Sequence, residues 1–192
     1  MYKKQVKLQR IICLALLIIS AVIFVYSLGI MTDLYDSLYS TYRRGKTSLN
    51  GAEVYMDMQG FNKDFLHASI GMILLSVLLF ITNTQSRRKY YIGNYCAVGL
   101  FAIASVALSV WAHGQIEAFK AQFLTIDFTQ LAEHAAKKKT LYTESTFWFD
   151  IHYVIFGLLL IGAALLVANV FWKRKLMKEE RTLIAQGKEA VA

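Results

Sequence analysis

Four apolar runs, residues 11–31, 65–82, 91–111 and 151–172, carry no Lys, Arg or Glu. At 1.5 Å per helical residue, each is long enough to cross a hydrocarbon layer about 30 Å thick. With 56% hydrophobic and only 18% charged residues in 192, the chain has more apolar surface than a soluble domain can bury, since soluble domains are about a quarter charged. The expectation is an all-α integral membrane protein: a single domain of four transmembrane helices in an up-down bundle. Two extracytoplasmic loops, 32–64 and 112–150, and a cytoplasmic tail, 173–192, complete it. The first run is 21 residues long and Tyr26-Ser27-Leu28-Gly29 offers no small-x-small cleavage site, so it reads as a retained helix rather than a signal peptide.

The net charge of +8 argues for a membrane edge and not for nucleic acid, because of where the charges lie. Lys3, Lys4, Lys7 and Arg10 precede the first run. Arg87, Arg88 and Lys89 join the second to the third, and Lys173, Arg174, Lys175, Lys178, Arg181 and Lys188 follow the fourth. That side holds 13 of the 21 basic residues and only three carboxylates, whereas the two long loops hold 8 basic and 10 acidic residues. The positive-inside rule then makes the basic side cytoplasmic, with both termini inside, in a multi-pass protein of the cell membrane. An anionic leaflet surface attracts the same clusters. The outer loops contain no cysteine, so no disulfide framework holds them.

Proline is absent, so the spans should run unbroken. Discontinuous helices and internal repeats, the marks of many secondary transporters, are missing. Ser20, Ser69, Ser76, Asn94, Ser105, Ser109 and Asn169 are the polar residues in the interiors of the runs, away from their ends, with no buried charge pair to mark an ion path. Small residues in the third run (Ala97, Gly99, Ala102, Ala104, Ser105) and the fourth (Gly157, Gly162, Ala163, Ala164) predict close packing of these two helices.

In the first outer loop, Leu34, Leu38 and Tyr42 extend the first helix up to Arg43-Arg44-Gly45, and Asn50-Gly51 permits a short hairpin. In the second, Ile116, Phe119 and Phe123 continue the third helix. Asp127 is placed as the N-cap of a further helix, whose apolar face is Phe128, Leu131, Ala132 and Ala135 and whose end is Lys137-Lys138-Lys139. Such faces must pack on one another, on the membrane surface or on a partner.

Walker, dinucleotide-binding, Gly-x-Ser-x-Gly, His-Glu-x-x-His and Cys-x-x-Cys patterns are all missing. What remains is histidine: His67 begins the second run, His113 follows the third and His152 begins the fourth, all at the outer edge. Three imidazoles at one depth are candidate ligands of a divalent metal, with Asp64, Glu117 or Asp150 as further ligands or orienters. Haem is the other cofactor considered, ligated by a pair of them, with Gly71 and Gly157 leaving room for a porphyrin. As candidate catalytic residues, His67 and His152 would serve acyl transfer at the outer leaflet. Against these stands the plain suitability of histidine, like the Phe147-Trp148-Phe149 belt, for the wet membrane edge.

Phe61-Asn62-Lys63-Asp64-Phe65-Leu66-His67 and Phe149-Asp150-Ile151-His152-Tyr153-Val154-Ile155-Phe156 resemble the two histidine-bearing outer segments of bacterial lipoprotein intramolecular transacylases. The resemblance implies four spans, two outer loops and transacylation through His67 and His152. Ala68-Ser69-Ile70-Gly71 stands where that family carries an acidic residue and a valine, and an apolar helix follows His152 in place of a polar, tryptophan-containing stretch.

Without buried charges, broken helices or a catalytic signature, the role that the sequence supports first is an accessory or structural subunit of a membrane complex. It would work by protein-protein interaction, with another membrane protein or itself as partner. The orientation can be tested directly. Cysteine introduced at Ser48 or Thr140 should react with a membrane-impermeant maleimide from outside the cell, and labelling confined to the cytoplasmic side would reverse it.

Overall fold

The computed structural model describes residues 2–29, 54–84, 91–139 and 143–189. Five helices account for nearly all of them: α1 (Tyr2–Gly29), α2 (Val54–Thr84), α3 (Tyr91–Phe123), α4 (Phe128–Lys138) and α5 (Phe147–Glu189). No strand occurs among the described residues. The helices α1, α2, α3 and α5 are long and apolar enough to cross a membrane. The extension of α1 past the membrane, its end at Arg43-Arg44-Gly45, the hairpin at Asn50-Gly51 and the Arg87 to Lys89 connection lie outside the described residues.

The helices outrun the apolar runs, and their buried positions explain why. Val54, Met58, Phe61 and Phe65 are all buried at the start of α2, four and three residues apart, while Asp57, Gln59, Lys63 and Asp64 lie on its exposed face. An amphipathic turn of this kind breaks an apolar run without breaking a helix. Residues 54–64, expected in the first loop, are therefore helical. In the same way α3 continues to Phe123, and α5, at 43 residues, is about 65 Å long at 1.5 Å per residue.

The described chain forms two compact units, one from residues 1–20, 72–106 and 158–192, the other from 21–71 and 107–157. In the first, five buried carboxamides join all four long helices. The Gln5 amide donates to Gln9 Oε1 (3.0 Å) and to Asn169 Oδ1 (3.4 Å), and Gln9 donates to Asn83 Oδ1. Asn94 donates to the same Asn83 oxygen at 2.8 Å, and the Asn83 amide donates to the Leu79 carbonyl at 2.7 Å. Only Asn94 and Asn169 fall inside the apolar runs, so run-counting missed most of this network. Lys173, one turn after Asn169, is also buried. The closest approach at a glycine in this unit is Gly162, where an added Cβ would lie 2.6 Å from Leu16 Cδ2. The contact joins α5 to α1.

The second unit has an aromatic core. Phe61 stacks on Phe65 at 5.4 Å and meets Trp111 and Phe119 at 5.4 and 5.6 Å, and Phe65 meets Phe156 edge-on at 6.2 Å. The Tyr26 hydroxyl donates to the Trp148 carbonyl at 2.8 Å, so α1 is tied to the first turn of α5. Asp127 caps α4 by accepting from the Gln130 N–H at 3.1 Å, and Lys139 closes it with φ 53°. The apolar face of α4 turns inward: Leu131 and Ala135 are buried, and Phe123 packs on Phe128 and Phe149 at 5.1 and 5.3 Å. The chain itself covers this face.

Several serine hydroxyls in the long helices are satisfied locally, whereas Ser109 Oγ is buried without a hydrogen-bond partner among the described residues. Ser20, Ser76 and Ser105 donate to carbonyls three or four residues back in their own helix, and Ser69 does so while also meeting Ser27 at 3.2 Å. Carboxamides reach further, so the Gln9–Asn83–Asn94 chain is what joins helices in the first unit. Asn83→Leu should lower stability in a denaturant titration by about 1–3 kcal/mol, because Gln9 and Asn94 lose their shared acceptor. Adding Gln9→Leu should recover part of the loss. Strict additivity of the two would show that the contact carries no coupling.

Candidate functional site

Three of the histidine-edge candidates come together. His113 and Glu117 sit one turn apart on α3, and His152 enters from the first turns of α5. One ligand atom from each lies within 4.8 Å of the other two. His113 Nδ1 and His152 Nε2 are 2.8 Å apart, and His152 Nε2 lies 4.0 Å from Glu117 Oε1. His152 is buried, Glu117 half-buried and His113 exposed, so the group is anchored on one side and open on the other.

The proton positions follow from the partners. His152 Nδ1 faces the Phe149 carbonyl, which can only accept, so Nδ1 carries the proton and a neutral ring has a bare Nε2. In the 2.8 Å contact it is then His113 Nδ1 that donates. The buried imidazole thus presents a lone pair to the open side, held there by the backbone of its own helix. Glu117 is oriented as well, since the Tyr153 hydroxyl donates to its Oε1 at 2.9 Å. The Tyr153 ring also lies against both imidazoles, 4.2 Å from His152 and 5.5 Å from His113.

An ion pair between Lys120 and Asp150 fastens the two helices beside this group. Asp150 is held on its other oxygen by Thr146, which donates at 2.6 Å, and the backbone N–H of Asp150 bonds to the Thr146 carbonyl at 2.9 Å. Asp150, a candidate ligand by sequence, instead pins the start of α5 to α3. Phe149, the residue before Asp150, is fully buried against Phe123 and sets the rotation of α5 that turns His152 inward.

Of the other candidates, His67 and Asp64 are exposed on α2 and stand outside the group of three. The two histidines in contact are therefore His113 and His152, whereas the transacylase resemblance would pair His67 with His152. A Cβ at Gly71 or Gly157 would meet nothing within 4 Å. Sequence reasoning did not find Tyr153 as an orienting group for Glu117 or Lys120 as the partner of Asp150. Their signals, a tyrosine beside His152 and a lysine one turn after Glu117, are visible only once the facing of α3 and α5 is known.

Compared with protein-family models, curated proteins and solved structures, the chain matches none, so its function is argued from this geometry.

Proposed function

We propose that this is a four-span cell-membrane protein that binds one divalent transition-metal ion, Zn²⁺ by the nature of its ligands, through His113, Glu117 and His152. In this reading the four long helices cross in alternating directions, both termini are cytoplasmic and the site lies at the outer edge of the membrane. Two imidazoles and one carboxylate form a ligand set used by zinc where a fourth position stays open to water or substrate. The observation that carries the proposal is the placement of the three ligand atoms within 4.8 Å of one another.

The distances suit a tetrahedral ion. Ligand atoms about 2.0–2.1 Å from zinc lie about 3.3 Å from each other, between the 2.8 Å of His113–His152 and the 4.0 Å of His152–Glu117, and the His113–Glu117 pair lies within 4.8 Å. Binding requires His113 to release its Nδ1 proton and carry one on Nε2 instead, a tautomer change its exposure permits. The Phe149 carbonyl behind His152 and the Tyr153 hydroxyl behind Glu117 are the outer contacts that fix such ligands. Haem fits less well. Two imidazoles in direct contact leave no slot for a macrocycle between them.

A contact role as an accessory or structural subunit is the second reading. It is supported by Leu183 and Ile184, which are exposed on the stretch of α5 beyond Trp172. The apolar face of α4 does not support it, being covered by the chain.

Zinc titration of the purified protein by calorimetry, after chelator treatment, should give one site per chain. Alanine at His152 or at Glu117 should weaken it at least about a hundredfold, and Tyr153→Phe by about tenfold, as losses of orienting contacts do. His67→Ala should leave it unchanged. Binding that survives His152→Ala would refute the site.

A further inference from the structure

The first unit contains a cleft of about 640 Å³ between the start of α3 and the end of α5. Its basic wall is Arg174, Lys178 and Arg181, four and three residues apart on one face of α5. Its other wall brings in Tyr95 from α3, and its floor is Val170 and Phe171. The volume lies in the range of small-molecule sites, and every lining residue belongs to this one unit. Trp172 ends the apolar run, so the cleft straddles the boundary between apolar and charged surface.

Three cations on one helix face repel one another, and like charges one turn apart destabilise a helix. The neighbouring carboxylates Glu179 and Glu180 are not among the described residues that line the cleft, and an anion bound there would offset the repulsion. The walls also specify its form. Phe171 is 63% exposed on the apolar side of the boundary, a surface suited to hydrocarbon, and the guanidinium groups of Arg174 and Arg181 match phosphate oxygens in fork geometry. A molecule that meets both surfaces has a phosphate and an acyl chain.

We propose that this cleft is a binding site for one anionic glycerophospholipid, with its phosphate on Arg174, Lys178 and Arg181, its headgroup against Tyr95 and its acyl chain along Val170 and Phe171. A second groove makes the comparison from within the molecule. Lys3, Lys7 and Arg10 repeat the same spacing beside Val6 and Ile11, but among the described residues α1 alone lines that groove. With no second described helix to enclose a headgroup, it acts as a basic stripe attracted to any anionic surface.

The test is lipid retention by the full-length protein, read by native mass spectrometry from detergent with dioleoylphosphatidylglycerol or the zwitterionic dioleoylphosphatidylcholine. The wild type should retain the phosphatidylglycerol adduct in preference. Gln at Arg174, Lys178 and Arg181 together should reduce that preference about a hundredfold, at roughly fivefold per basic residue. Arg174→Lys with Arg181→Lys keeps the charge but loses the fork geometry, and should weaken retention less than the triple Gln variant does. Tyr95→Ala changes no charge and should weaken retention, which keeps the proposal testable if the triple variant misfolds. Gln at Lys3, Lys7 and Arg10 should leave the single adduct intact. Equal retention of the two lipids, an unaltered preference in the triple variant, or an undiminished adduct in Tyr95→Ala would overturn the proposal. So would displacement of the lipid by inorganic phosphate at equal concentration, which would make this a free-anion site.

Discussion

Helices that face lipid must satisfy their polar groups within the chain, because the hydrocarbon offers no water to do it. Hydroxyls meet this demand cheaply by folding back onto the carbonyls of their own helix, as Ser20, Ser76 and Ser105 do. Carboxamides and imidazoles have too many donors and acceptors for that. They must reach across to another helix, and each one that does so fixes where that helix stands. In the first unit this produces the chain of Gln5, Gln9, Asn83, Asn94 and Asn169. In the second it produces the contact between His113 and His152. Apolar surface puts the helices in the membrane, and the polar contacts decide which faces meet.

The same demand makes the histidine group more than a packing detail. A buried imidazole needs a partner on each nitrogen, and His152 has the Phe149 carbonyl on one and His113 on the other. A carboxylate half-buried beside them needs donors, and Glu117 has Tyr153. The result is a neutral ring whose lone pair faces an open side together with two further ligand atoms. Structural roles alone require neither the exposure of His113 nor the proximity of Glu117. The proposed metal ion would make use of both.

Much of the fold was legible because apolar runs of 18 residues or more leave few alternatives to spanning helices. Helix ends were less so. The start of α2 has its buried residues at Val54, Met58 and Phe61, interleaved with Asp57, Gln59 and Lys63, so its signal is a period rather than a run. The carboxamide network was hidden for a related reason: Gln5 and Gln9 stand among lysines and Asn83 just past a run, where polar residues pass for solvated edge. Residue types and topological depth gave His113, Glu117 and His152 as candidates only alongside His67, Asp64 and Asp150. Which of the candidate acids and histidines would meet depends on helix rotation, and rotation is set by Phe149 against Phe123 and by Lys120 with Asp150, contacts that join residues far apart in sequence.

In the proposed site His113, Glu117 and His152 would hold one ion in common. X-ray absorption at the zinc edge, on protein loaded with one equivalent, measures that directly. A shell of nitrogen and oxygen ligands at about 2.0–2.1 Å, with the outer scattering of two imidazoles, is the predicted result. A sulfur shell at about 2.3 Å, or oxygen ligands with no imidazole scattering, would place the ion elsewhere and contradict it.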